Sequence, residues 1–111
     1  MTYERFEIVK VPFPFTDKDA AKTRPALVIS SHEFNLSVGK TVMAMITSTT
    51  KNVWLLDTAI TDLKRAGLPV ACSIRMKLFT VDNELVIKRL GRLSVDDAAE
   101  FEKNFVQLTL S

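Results

Sequence analysis

Apolar and polar positions alternate with a period of two in several stretches of the chain and recur at helical spacing in one. From Glu7 to Phe13, Val9, Val11 and Phe13 share one face and Ile8, Lys10 and Pro12 the other. That alternation predicts a first strand, with an edge or a bend where Pro12 removes a ladder donor. Ala26 to Ile29 is a short apolar run with two β-branched residues between Pro25 and the Ser30-Ser31 pair, as in a buried strand. Thr41 to Ser48 predicts a third strand and Val53 to Leu56 a short one, with Trp54, the sole tryptophan, in the core. From Ala71 to Leu78, Ser73, Arg75 and Lys77 alternate with Cys72, Ile74, Met76 and Leu78. Phe79 to Asn83 leads from strand to turn, and Glu84 to Leu90 predicts the last strand, ended by Gly91.

Helical signals are fewer. Ser31 can cap a short turn before Gly39, and Thr61 to Gly67 reads as a turn. At the C-terminus, Val95, Ala98, Phe101, Phe105 and Leu108 form one apolar stripe suited to lying on a sheet. Ser94 is its expected N-cap, Asp97 a capping-box-like acid and Asp96 a favourable charge at the positive end of the helix dipole. Five or six short strands and one amphipathic C-terminal helix predict a mainly β fold with α, a small half-open barrel, in one domain spanning residues 1–111.

Composition narrows the function classes. The chain is 47% hydrophobic and 25% charged, ordinary for a globular protein. It contains no apolar stretch long enough to span a membrane and no signal-peptide pattern, so a cytoplasmic location without membrane partners is expected. With one cysteine, Cys72, and one histidine, His32, neither an internal disulfide nor a spaced metal-ligand set is available; no metal and no cofactor are expected. His32 has no nucleophile elbow to serve and is expected in a solvated loop. The net charge of +2 hides a division: residues 94–111 hold four acids and one base, the rest 14 bases and 9 acids, a balance of +5. A basic body of this kind suits phosphates or acidic peptides.

Candidate chemistry gathers at the mouth of the Ala26–Ile29 strand. Pro25 biases Arg24 towards an extended conformation, and a guanidinium with Lys22 nearby can grip a phosphate through parallel hydrogen bonds. The hydroxyls Thr47, Ser48, Thr49 and Thr50 close the third strand, where they can satisfy a turn or face a phosphate held by Arg24. Arg75 and Lys77 extend a cationic face. Phe13 and Phe15 flank Pro14; closing one end of a barrel is the preferred role for them, stacking bases the other.

Three stretches taken together resemble the MazF/PemK family of toxin–antitoxin toxins: Glu7 to Asp17, Lys22 to Ser30 with its Arg24-Pro25 pair, and Ile46 to Ser48. Gly67-Leu68, Ser73 to Asp82 and Leu90 to Ser94 follow in family order. The resemblance implies an SH3-like barrel, a homodimer, an acidic antitoxin protein as partner and metal-independent endoribonuclease activity on single-stranded RNA. It assigns catalysis to Arg24 and Thr47. Lys22, Ser48, Thr49, Arg75, Lys77 and Phe15 are the corresponding RNA-binding candidates. Two departures stand out: Phe6-Glu7 where members commonly carry Gly-Asp, and, near Ile74 and Met76, where some PemK-type members have an arginine and an acid, Arg75 as the candidate arginine but no acid. No residue stands out as general base; Glu7 and Asp17 are weak candidates. The alternative is a non-catalytic binding module, or a toxin of the same fold that inhibits a topoisomerase.

Overall fold

The computed structural model describes residues 1–12, 22–49 and 52–110. The elements follow in the order β1 (Glu7–Pro12), β2 (Thr23–Val28), α1 (His32–Val38), β3 (Lys40–Ser48), β4 (Thr58–Ala59), α2 (Leu63–Ala66), β5 (Cys72–Asp82), a 3-10 turn (Asn83–Leu85), β6 (Lys88–Arg92) and α3 (Val95–Leu110). Among the described residues the strands form one sheet in the order β4-β5-β3-β2-β1-β6, with antiparallel neighbours. Register shifts fall between Ile8 and Val9 against β6 and between Ala44 and Met45 against β5. Such irregularities bend and twist a strand, and here they accompany the curl of the sheet into a half-barrel.

Alternation sends side chains to two cores. Ile8, Leu27, Ala44, Ile46 and Ile74 pack on one face with Leu93 and with Phe101 of α3. Val9, Val11, Ala26, Val28 and Met43 pack on the other with Tyr3. Fully burying one such aliphatic side chain is worth about 1.5–3 kcal/mol, so the four central strands are secured from both sides. The helix contributes the middle of its stripe, Ala98, Phe101 and Phe105, whereas Val95 and Leu108 stay exposed.

Several sequence expectations change. Val53–Leu56 is a turn, with Trp54 half-exposed and outside the core. The Asp57 carboxylate accepts from the Trp54 N–H at 2.9 Å, and the Asp57 N–H donates to the Trp54 carbonyl at 3.2 Å, closing a loop where the apolar run suggested extension. Residues 84–87 are not strand, because Asn83 is fastened elsewhere: its amide donates to the Asn35 carbonyl at 2.8 Å and accepts from Thr41 Oγ1 at 2.7 Å. β6 therefore begins at Lys88, and Gly91 lies inside it, opposite Ile8. β1 is an interior strand between β2 and β6, with Pro12 forming its last pair, to Thr23.

The caps follow the sequence more closely. Ser31 Oγ accepts from the Phe34 N–H to cap α1; α1 puts His32 on the surface. Ser94 Oγ accepts from the Asp97 N–H at 3.1 Å. The Asp97 carboxylate, however, closes no capping box. It reaches the α2 approach, accepting from the N–H and hydroxyl of Thr61 at 3.0 and 2.7 Å and from the Asp62 N–H at 3.1 Å.

Candidate functional site

The candidate site lies where β2, β3 and β5 present their ends. β2 pairs with β3 through Ala26–Met45, Leu27–Ala44 and Val28–Met43. Continuing that register by two residues places Arg24 level with Thr47. On the far side of β3, Thr47 pairs with Ser73 and Met45 with Arg75. Because strand neighbours two apart share a face, Arg24, Thr47 and Ser73 fall in one row, and Arg75, opposite Met45 in the next row, shares their face. Pro25 contributes no N–H to the ladder, and the described β2–β3 pairing begins at Ala26, directly after it.

A small cavity of about 30 Å³ opens beside this row, lined by Thr47, Ser48, Thr49, Asn52, Val53, Asp57, Ser73 and Arg75. Thr49 is tied into the end of the sheet by its N–H, which donates to the Ala71 carbonyl at 3.0 Å. The cavity thus offers four hydroxyls and a guanidinium, donors suited to phosphate oxygens.

Arg75 is already engaged. Its Nε and Nη2 donate to the two carboxylate oxygens of Asp57 at 3.3 and 3.0 Å, and Nη2 also donates to the Asn52 carbonyl. Both side chains are largely enclosed, 11% exposed for Arg75 and 9% for Asp57. The guanidinium carbon lies 4.8 Å from the centre of the Trp54 ring, within cation–π range. Asp57 and Trp54 are the site residues that the sequence did not mark. The available signal was an acid closing the Trp54–Asp57 segment, and its partner lies 18 residues away.

The other expected residues distribute unevenly. Thr47, Ser48, Thr49 and Arg75 come together at the cavity. Arg24 is half-buried on the same row without lining the cavity, and its Nε is shielded from water. Lys22 is exposed just before β2, and Lys77 is half-buried two residues beyond Arg75. Phe13, Phe15, Asp17 and Thr50 lie outside the described residues. Glu7 is at the wrong end of β1: Val11 pairs with Arg24, so Glu7 sits four residues back, about 13 Å along the strand. It accepts from the Glu4 N–H at 2.7 Å and pairs with Arg89, which removes it as a base for this site.

Among the described residues no group of histidine, cysteine and carboxylate side chains could hold a metal ion. Cys72 is buried, which raises its thiol pKa and leaves it unsuited to act as a nucleophile. Among the same residues no helix is long and apolar enough to cross a membrane.

A family model described as PemK-like, MazF-like toxin of type II toxin–antitoxin system matches residues 4–109. The chain belongs to that family. No curated protein sequence matches it. Among solved structures, MazF from Deinococcus radiodurans is similar with a TM-score of 0.75 at 18% identity, over 97% of this chain and 96% of that one. An endoribonuclease in complex with its cognate antitoxin from a mycobacterial species has a TM-score of 0.75 at 14% identity, over 98% and 97%. At such identities the likeness shows the fold, a MazF-like curled sheet with a C-terminal helix. Within this MazF-like fold, Arg24 and Thr47 lie near the ends of β2 and β3, two residues beyond the last described pair, Ala26–Met45.

Proposed function

We propose that this MazF/PemK-family toxin is a metal-independent endoribonuclease that cuts single-stranded RNA. The observation that carries the reading is the β2–β3 register, which, continued two residues past Ala26–Met45, sets Arg24 level with Thr47 next to the hydroxyl-rich cavity. In the proposed reaction the ribose 2′-oxygen bonds to phosphorus and the bond to the 5′-oxygen breaks. The 2′-hydroxyl gives up its proton and the departing 5′-oxygen gains one. Arg24 stabilises the added negative charge on the phosphoryl oxygens, and the Thr47 hydroxyl orients the phosphate. Ser48, Thr49 and Lys22 supply further phosphate contacts, with Lys77 extending the cationic face. Both Asp57 oxygens already accept hydrogen bonds from Arg75 and the Trp54 N–H, so Asp57 serves to position this edge of the site.

The family supports a type II antitoxin as partner, and an acidic protein segment suits the basic body. We further propose a homodimer, since two small barrels side by side extend the basic surface along which RNA and antitoxin would compete. Incubating purified protein with a long mixed-sequence RNA in EDTA, followed by mapping of the ends, tests the activity. Discrete cuts leaving 2′,3′-cyclic phosphate and 5′-hydroxyl ends are expected. Intact RNA, or cutting that requires added Mg²⁺, would overturn the reading.

A further inference from the structure

We propose that Trp54 is the nucleobase-stacking residue of this site, fixed in place by Arg75 and Asp57, and that it receives the base of a nucleotide whose phosphate sits at the Thr47–Thr49 hydroxyls. The proposal rests on the RNA reading above and adds a base contact to it.

Three features of the 52–57 turn converge on this role. Val53, Trp54 and Leu55 are three consecutive apolar residues that remain 74%, 45% and 89% exposed. Scattered exposed apolar residues need no explanation, but a contiguous cluster at the rim of a polar cavity is the informative case. Val53 itself lines that cavity, together with Thr47, Ser48, Thr49 and Ser73.

The turn is also rigidly held. Asp57 takes Arg75 on both carboxylate oxygens and the Trp54 N–H on one of them, while Arg75 reaches over to the Asn52 carbonyl. Leu56 adopts φ 70°, a left-handed conformation that is costly for a branched side chain and persists only where its surroundings enforce it. The backbone that carries the indole is thereby held, and a ligand that docks on it need not order the loop.

Finally, the Arg75 guanidinium lies 4.8 Å from the ring centre and also borders the cavity. One cationic side chain therefore links the hydroxyl-lined cavity to the aromatic platform. A nucleotide has the same layout, a charged phosphate joined through a sugar to a flat base. Every base has a π-face, so stacking adds affinity with little regard to sequence and favours unpaired strands, whose bases are free to splay. An acidic peptide would use the cations but has no systematic use for the indole.

Trp54 is the sole tryptophan, so intrinsic fluorescence reads the contact directly. Wild-type protein is titrated with a 2′-O-methyl oligonucleotide, which cannot be cut through its own 2′-oxygen, and with an abasic oligonucleotide of the same length. Saturable quenching by the first and not by the second is expected. Read by the anisotropy of an end-labelled 2′-O-methyl oligonucleotide, Trp54→Leu, which keeps apolar bulk without the ring, should weaken binding by about tenfold or more, and Trp54→Phe should restore most of it. Equal fluorescence changes with both oligonucleotides, or unaltered affinity in a folded Trp54→Leu, would overturn stacking even where the wild type cuts RNA. Quenching with base-dependent binding but no cutting would instead overturn the nuclease reading and leave stacking standing. Quenching by an acidic peptide alone would hand the indole to a protein partner and end the proposal.

Discussion

Gly67 and Gly91 mark the place where α2 and β6 touch backbone to backbone. A Cβ on Gly67 would come within 2.0 Å of the Leu90 carbonyl oxygen, and one on Gly91 within 2.4 Å of the Ala66 carbonyl carbon. Gly67 also closes α2 in the left-handed conformation at φ 75°, which favours glycine by itself. At Gly91 the crowding is with main chain, which cannot swing aside as a flexible side chain would. Gly91→Ala should therefore destabilise by about 1–3 kcal/mol or more, read as a lower melting temperature. A melting temperature equal to wild type would show that the contact yields freely.

Asp97 makes stability depend on acid. Burial pushes its carboxyl pKa up, but the Thr61 hydroxyl, the Asp62 and Thr61 N–H groups and Ser94 more than offset that, leaving it lowered. A carboxyl with a lower pKa folded than unfolded contributes its full stability above the unfolded value, about 3.9, and loses it as pH falls through the folded one. Wild type should thus lose stability relative to Asp97→Asn only below about pH 4, with Asp97→Asn weaker by about 1–3 kcal/mol at neutral pH. Parallel pH–stability curves for the two proteins would refute this linkage.

Arg24→Ala should reduce RNA cleavage by about 10²-fold or more while the circular dichroism spectrum stays that of wild type. The side chain sits at the strand mouth and belongs to neither apolar core. Activity within a few-fold of wild type in a folded variant would remove Arg24 from the mechanism.

Thr47→Val preserves shape and removes the hydroxyl, so activity should fall with little change in melting temperature. Ser48→Ala, at the exposed end of β3, should matter less. If the effects came out in the reverse order, the phosphate would have to be placed one residue further along the strand.

An acidic antitoxin segment and RNA should displace one another, and both affinities should fall as salt rises, since each ligand exchanges counterions for the same cations. Competition titrations at two salt concentrations, with light scattering to read the dimer, measure this. Simultaneous binding, or a monomer at micromolar concentration, would contradict the shared surface.

What was legible in the sequence divides along physical lines. Strands β1 and β5 carry period-two patterns and helix α3 a helical one over six residues or more, while β2 and β3 read as apolar runs bounded by polar and turn residues. β4, Thr58–Ala59, is two residues long and leaves no periodicity to read. α2 announced its ends through Asp62, which accepts from the Arg65 N–H, and Gly67, though its four residues read as a turn. Arg24 and the Thr47–Thr49 hydroxyls could be singled out as candidates because residue type, strand position and the family resemblance coincide there. The Trp54–Asp57–Arg75 cluster was not, since a lone tryptophan in an apolar run reads as core until the arginine from another strand is seen against its ring.

The β2–β3 ladder begins at Ala26, the residue after Pro25, and that gap shapes how such a protein can change over time. Arg24 and Thr47, the residues proposed to hold the phosphate, stand beyond the last shared pair, whereas Leu27, Ala44 and Met43, which secure the two strands, are fully enclosed behind it. On the proposed reading, substitutions at the rim would alter what is recognised with little effect on whether the chain folds. Lineages of this toxin are free to explore new targets there without first acquiring compensating stability.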